Sequence, residues 1–292
     1  MKNFIRRLLS FLGIIFILLI LFSILPKFLE ERGFLKRKNK VAIIEIKGII
    51  IKSEKILEEL SKCEKNPSIK AVVLRLNTPG GAVGPTQEIY EGILNFKKRT
   101  KKPVVASMGS ITASGGYYIA CAADKIVANP GTITGSIGVL MEFPNYKVLF
   151  DKVGLKFITI KSGKYKDIGS FSREMTDEEK QILQNVVNDV YNQFLNAIIN
   201  GRKLKREEVL PIADGRIFSG NQARKLKLVD FLGSLEDAIN LAAKLAKIPG
   251  KPEVVKISKK KFSIFDLLED ILSKYLYNNQ NYIYPRILYQ LF

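Results

Sequence analysis

Three short apolar runs constrain the fold of this chain more than any other feature: Val41-Ala42-Ile43-Ile44-Glu45-Ile46, Ala71-Val72-Val73-Leu74-Arg75-Leu76 and Val104-Val105-Ala106. They are strand-length, rich in valine and isoleucine, and the third is bounded by Pro103 and Gly109. Helical spacing follows each: Ile56, Leu57 and Leu60; then Ile89, Ile93 and Leu94; then Tyr117, Ile119, Ala120 and Ala123. Strands alternating with helices predict an α/β fold with largely parallel pairing, in which functional groups gather at the carboxyl ends of strands.

The later chain continues the pattern. Gly131 to Gly138 is a dense run of small and hydroxyl residues, and Phe157 to Ile160 reads as a strand. Thr176 to Asn200 is the clearest helix, with a capping box at Thr176 and Glu179 and an apolar stripe through Ile182, Val186, Val190, Phe194 and Ile198. Ser219 and Gln222 open another capped helix, a strand is expected near Leu228 to Phe231, and an amphipathic helix over Leu235 to Leu245.

Ser114 sits where the third strand hands over to its helix, directly before Gly115-Gly116. Two glycines leave little bulk over its hydroxyl, and free N–H groups at a helix start can hold a developing negative charge, as a serine nucleophile requires. Serine is also a favoured N-cap, and on these residues alone capping is the better account. Asn77-Thr78-Pro79-Gly80-Gly81 is an ordinary turn by composition, yet it too follows a strand, which would let Gly80 and Gly81 face Ser114.

Composition removes whole classes of chemistry. The 292 residues contain no histidine, so neither a Ser-His-Asp nor a Cys-His site can be built within the chain, and histidine metal sites are excluded. Cys63 and Cys121 are far apart and lack zinc spacing. No metal or cofactor is expected: Gly163-Lys164 lacks the rest of a phosphate-loop motif, and no G-x-G-x-x-G occurs. A formal charge of +19 favours anionic surfaces, but the lysines are scattered and no nucleic-acid-binding signature accompanies them, so no nucleic-acid partner is expected. A base for Ser114 must then be Lys, Asp, Glu or Tyr, and lysine is the usual partner in histidine-free serine hydrolases. The lysine-rich turn Lys161-Ser162-Gly163-Lys164-Tyr165-Lys166-Asp167 supplies candidates, although such a run is ordinarily a solvated loop.

Three regions are expected. Residues 1–38 form an anchor and basic linker, 39–250 the catalytic domain, and 251–292 a basic and apolar extension. Leu8 to Leu25 is nearly unbroken apolar sequence that would extend roughly 27 Å as a helix, enough to cross the hydrocarbon core, and no small-x-small cleavage site follows it. Lys2, Arg6 and Arg7 precede this run, whereas Lys27, Arg32, Lys36, Arg37, Lys38 and Lys40 follow it, so charge alone would put the catalytic part in the cytoplasm. The apolar end of the chain, Tyr284 to Phe292, could enter a groove and be trimmed there or block it.

Five stretches in order resemble the signal peptide peptidase A family of membrane-bound serine proteases, in its short single-repeat form: Asn77 to Gly81, Thr112-Ala113-Ser114-Gly115-Gly116-Tyr117-Tyr118, Thr134-Gly135-Ser136-Ile137-Gly138, Ser162 to Asp167, and Asp214-Gly215-Arg216 leading into Ser219 to Ala223. The resemblance spans about residues 39 to 248. It implies a Clp-protease/crotonase-like fold and a Ser-Lys dyad, with Ser114 as nucleophile, Lys166 as general base in preference to Lys164, and Ser136 orienting the lysine. Gly81 and Gly115 N–H groups would form the oxyanion hole. It further implies a single-pass membrane protein with its catalytic domain outside the cytoplasm, and a homo-oligomeric ring in which serine and lysine can come from neighbouring subunits. The substrates implied are apolar peptides, chiefly signal-peptide remnants; a processing protease with few membrane-protein substrates and a non-catalytic scaffold are the alternatives.

A lysine base carries a physical requirement. With an ordinary pKa of about 10.4, only about one lysine in 2,500 is neutral at pH 7. Lys166 is therefore expected to be desolvated and free of a carboxylate partner, and Asp167 to point elsewhere.

Overall fold

The computed structural model describes Ile15, residues 39–257 and the backbone of residues 287–290. The transmembrane helix expected over residues 8–25 lies outside the described residues apart from Ile15, and no described helix is long and apolar enough to cross a membrane.

The principal sheet contains β1 (Lys40–Lys47), β2 (Ile69–Thr78), β4 (Val104–Ala113) and β5 (Lys125–Ala128), with β9 (Phe231–Leu232) and β10 (Glu253–Lys256) at its edges. All of these pair in parallel, in the order β10-β1-β2-β4-β5-β9. Between them run α1 (Glu54–Lys65), α2 (Val83–Thr100) and α3 (Gly115–Ala120), the connections that parallel strands require. The two-residue period of a strand sorts the core: Ala42, Ile44, Val72, Leu74, Val104 and Ala106 pack on the face covered by α1 to α3, while Val41, Ile43, Ala71, Val73 and Val105 pack on the other. That second face is covered by α8 (Leu235–Leu245), where expected; α4 (Lys147–Lys152), α5 (Asp177–Arg202), α6 (Arg206–Val209) and α7 (Gly220–Lys225) come before it in the chain.

Beyond the middle of the sheet, β6 (Ile133–Gly135) continues parallel to the end of β4 and pairs antiparallel with β8 (Ile217–Ser219). A second small sheet contains β3 (Gly80–Ala82), β11 (Ile287–Gln290) and β7 (Leu140–Met141), with β11 antiparallel to both neighbours.

Several expectations are corrected. The strand leading to Ser114 runs for ten residues through Gly109, because the three residues of β4 between Met108 and Thr112 lie opposite the single Asn77 of β2, and the Asn77 side chain accepts the Ile111 N–H at 3.2 Å across the irregularity. Residues 157–160 form no strand: the apolar alternation is present, but no sheet edge among the described residues pairs with it, and Ile158 and Ile160 are 91% and 97% exposed. The strand expected at Leu228 to Phe231 comes later, at Phe231–Leu232, while Leu228 and Val229 are buried ahead of it. Past residue 250, Glu253–Lys256 adds an edge strand to the main sheet. The cysteines are unpaired and buried, which pushes both thiols up to about 12 and leaves them inert.

Candidate active site

Ser114 closes β4 and stands before α3 in a backbone conformation that a side chain rarely adopts, φ +50° and ψ −116°. Such conformations cost about 1–3 kcal/mol and persist only where the surroundings impose them. Here the Ser114 N–H donates to Gly135 O at 2.8 Å and its carbonyl accepts the Tyr118 N–H at 2.9 Å, pinning the residue between a strand and a helix. The residue sits at the N-cap position, but its side chain makes no capping hydrogen bond. The hydroxyl is thus left over from the capping role on a sharp strand-to-helix turn, the placement used to present a serine nucleophile. Ser114 is 1% exposed.

The pairing of β4 with β6 sets Ala113 against Gly135, so Ser114 and Ser136 are the residues that follow this last pair on the two strands. Ser136 also has positive φ, +49°, and its N–H donates to Arg216 O at 2.8 Å. It lines a cleft of about 530 Å³ with Ile137, Leu140, Tyr191 and Asp214.

Gly81 is fixed from the opposite side. Ile50 N–H donates to Gly80 O at 2.9 Å and Ala82 N–H donates to Ile50 O at 2.8 Å, so one edge of β3 is occupied. Successive strand residues point their backbone groups to opposite edges; the N–H and C=O of Gly81 therefore face the other edge, where Tyr289 of β11 is its partner. A Cβ on Gly81 would lie 2.1 Å from Ile50 O, so only glycine permits this approach. Gly115 begins α3, and its N–H lies in the first turn, where helices leave donors unspent. Residues 287–290 thus run as an extended strand between the glycine turn and β7, next to α3.

Lys166 is placed differently. Its turn is made by Lys166 N–H donating to Gly163 O, Ile168 N–H to Tyr165 O and Ser170 N–H to Asp167 O, at 3.0–3.2 Å. The side chain is exposed, where desolvation was expected, and among the described residues its ammonium has no hydrogen-bond or ion-pair partner; no bond joins it to Ser114 or Ser136. The structure thus brings Ser114, Ser136, Gly81 and Gly115 to one corner, and within one chain leaves Lys166 in solvent. Asp167 does turn elsewhere: its carboxylate is bound by Arg173 and Lys161. Lys164, the other candidate base, is paired with Glu178, and the hydrogen bond raises its pKa, which disfavours a neutral amine.

Sequence reasoning passed over Arg173. Its guanidinium bridges Asp167 and Glu179, and these bonds hold Asp167 well below the usual carboxylate range and Glu179 down at about 2. Both groups are charged at neutral pH, so what they contribute is present above pH 4.5 and lost as the pH falls through the lowered values. The available signal was the six-residue spacing of Asp167, Arg173 and Glu179 around a recognisable capping box.

What the Ser114 corner can do chemically is acyl transfer, with a strained serine on a buried turn and backbone donors nearby for an oxyanion. The comparisons name the class. The model of peptidase family S49 matches residues 96–249, more than half of the chain, and that of Clp protease matches residues 35–131. A candidate protease of Synechocystis sp. is 46% identical over 220 residues, covering 74% of this chain and 78% of its own length. A candidate protease of Methanocaldococcus jannaschii is 43% identical over 196 residues, 67% of this chain and 62% of its own. A candidate signal peptide peptidase SppA of Enterococcus faecium is 37% identical over 195 residues, 67% of this chain and 56% of its own, so the chain spans less than two thirds of the latter two. The chain belongs to peptidase family S49, and it is a serine peptidase with a mixed α/β, Clp-protease-like architecture.

Proposed function

We propose that this peptidase is a membrane-anchored endopeptidase that cleaves apolar peptides, signal-peptide remnants among them, through an acyl-enzyme on Ser114. Lys166 takes the serine proton, Ser136 orients the lysine, and the Gly81 and Gly115 N–H groups stabilise the oxyanion. The amine product leaves with that proton, and water, activated by the same lysine, releases the acyl group. The anchor at residues 8–25 holds the enzyme at the membrane, with the catalytic domain outside the cytoplasm.

The observation that carries this reading is the corner itself: Ser114 at φ +50° without a side-chain capping bond, following the strand pair whose other member leads into Ser136, beside a glycine strand with one edge turned to an extended peptide. The C-terminal strand supports the substrate geometry, since it lies antiparallel between β3 and β7 as a bound peptide would.

The exposure of Lys166 supports a site shared between subunits. An exposed lysine is a poor base, whereas one covered by an apolar surface is a good one. The segment bearing Lys166 presents Val153, Leu155, Phe157, Ile158 and Ile160 to solvent, apolar residues of the kind a second copy covers. In a homo-oligomeric ring that contact would deliver Lys166 to the neighbour's Ser114.

The test is hydrolysis of a fluorogenic apolar peptide by the full-length protein in detergent from pH 6 to 10. Wild type should gain activity as the pH rises, and Ser114→Ala and Lys166→Ala should each lose at least about 10³-fold. Mixing the two inactive variants should restore part of the activity. Wild-type activity in Lys166→Ala removes it as the base, and no restoration in verified mixed assemblies removes the shared site.

A further inference from the structure

The turn that carries Lys166 also carries the group best placed to disable it. A carboxylate beside a lysine favours the charged ammonium, and a base must be neutral to accept the serine proton. In the structure Asp167 is fully engaged. Arg173 Nε donates to Asp167 Oδ2 and Nη2 to Oδ1, both at 2.9 Å, and Lys161 Nζ also donates to Oδ1. The same guanidinium donates from Nη1 to Glu179 Oε2 at 2.8 Å and from Nη2 to Glu179 Oε1 at 2.5 Å. Glu179, 3% exposed, also accepts the Thr176 N–H at 2.9 Å in the capping box that starts α5.

We propose that Arg173 is a positioning residue for Lys166: its forked contact with Asp167 fixes the lysine turn on the first turn of α5 and neutralises the carboxylate that would otherwise hold Lys166 charged. This rests on the reading of Lys166 as the base. Only arginine has the planar fork to grip a carboxylate on two sides at once; lysine supplies the charge without the geometry.

The groups around the turn make the following contacts. Glu178, from α5, is occupied by Lys164 and by the Tyr165 hydroxyl. Lys161 spans Asp167 and the Lys164 carbonyl, and Glu174 gives its carbonyl to Arg173. Tyr165 and Asp167, the residues on either side of Lys166, are thus both tied to α5. Lys166 is left between them as the amine without a partner among the described residues.

The full-length protein is compared as wild type, Arg173→Lys, Arg173→Gln, Asp167→Asn and the Arg173→Gln/Asp167→Asn pair, reading kcat, KM and the pH at which kcat rises. Arg173→Gln should lower kcat about 10- to 100-fold with KM within about twofold, and move the rise upward by about one pH unit, because a positive charge beside the base is lost and Asp167 keeps Lys161 as its one remaining cationic partner among the described residues. Adding Asp167→Asn should return the rise to the wild-type pH while kcat stays low. Arg173→Lys should keep the wild-type pH with an intermediate kcat. Asp167→Asn alone, which leaves the Arg173–Glu179 contact in place, should lower kcat without an upward move of the rise, and it serves if Arg173→Gln does not fold.

Unchanged kcat in Arg173→Gln, or in Asp167→Asn, overturns the proposal. So does a lowered kcat in Arg173→Gln whose rise stays at the wild-type pH, since a merely structural tie would do that. Failure of the underlying reading is a separate result: Lys166→Ala would then retain activity.

Discussion

Around Ser114 the chain is held by backbone bonds and buried packing; around Lys166 it is held by charge. The helix that Ser114 opens is buried over all its residues, Tyr117 donates its buried hydroxyl to Leu228 O at 2.9 Å, and α5 crosses closely at Gly201. Beneath it Arg202 Nη1 meets Asp230 Oδ2 at 2.9 Å with the arginine 6% exposed. The segment from residue 143 to 175 instead relies on ring contacts among Phe150, Phe157 and Phe171 and on the ion pairs of Asp167, Arg173 and Glu179. A nucleophile can be strained only where the fold is strong enough to impose the strain. A base whose proton affinity depends on cover need only be brought correctly to that cover.

The comparison breaks most visibly if the outer segment stands alone. Replacing Ile158 and Ile160 together by Asp should dissociate the assembly by light scattering and lower peptidase activity more than about 100-fold, with the thermal midpoint of the monomer little changed, since both side chains are exposed in the single chain. Unchanged activity would mean that Lys166 works without a neighbour.

A smaller effect separates the two regions by stability. A methyl group on Gly201 would sit 2.1 Å from Cys121 O, so Gly201→Ala should cost about 1–3 kcal/mol and lower the melting temperature by about 2–4 °C per kcal/mol. Gly163→Ala, on the lysine turn, meets nothing within 4 Å and should stay within about 0.5 kcal/mol. Equal shifts would show that the lysine turn is packed as tightly as the serine helix.

The smallest effect concerns occupancy. Deleting residues 287–292 should raise kcat/KM for short peptides about two- to tenfold, because a strand that pairs with Gly81 competes with substrate for that edge. Intact mass after incubation, against Ser114→Ala, shows whether the segment is also cut. No change in kcat/KM would mean that the strand leaves the substrate edge free.

Much of this was legible in the sequence, for physical reasons that differ by residue. The strands at 41–46 and 71–76, the helix from Thr176 and the helix over 235–245 were readable because periodicity and capping act locally. Ser114 and Gly81 were readable as turn residues at strand ends, since a parallel sheet brings such ends together, whereas Ser136 was singled out by the family resemblance alone. Two features were not. The alternation at 157–160 has the form of a strand, but a strand needs an edge, and none among the described residues pairs with it. The exposure of Lys166 was hidden because burial is a property of whatever surface meets a side chain, and among the described residues none covers this one.

The glycine strand β3 has a consequence for what can be cut. Its inner edge is committed to Ile50, and its outer edge presents the backbone groups of Gly81 to whatever lies alongside. A helix spends its amides and carbonyls on itself, so it has nothing to offer such an edge; only a segment already drawn out can dock. If substrates dock on this edge as proposed, admission is decided by how easily a polypeptide unwinds, before any side chain is inspected. On that reading an intact helix would be spared for as long as it stays wound, and a severed fragment would become prey once its ends fray.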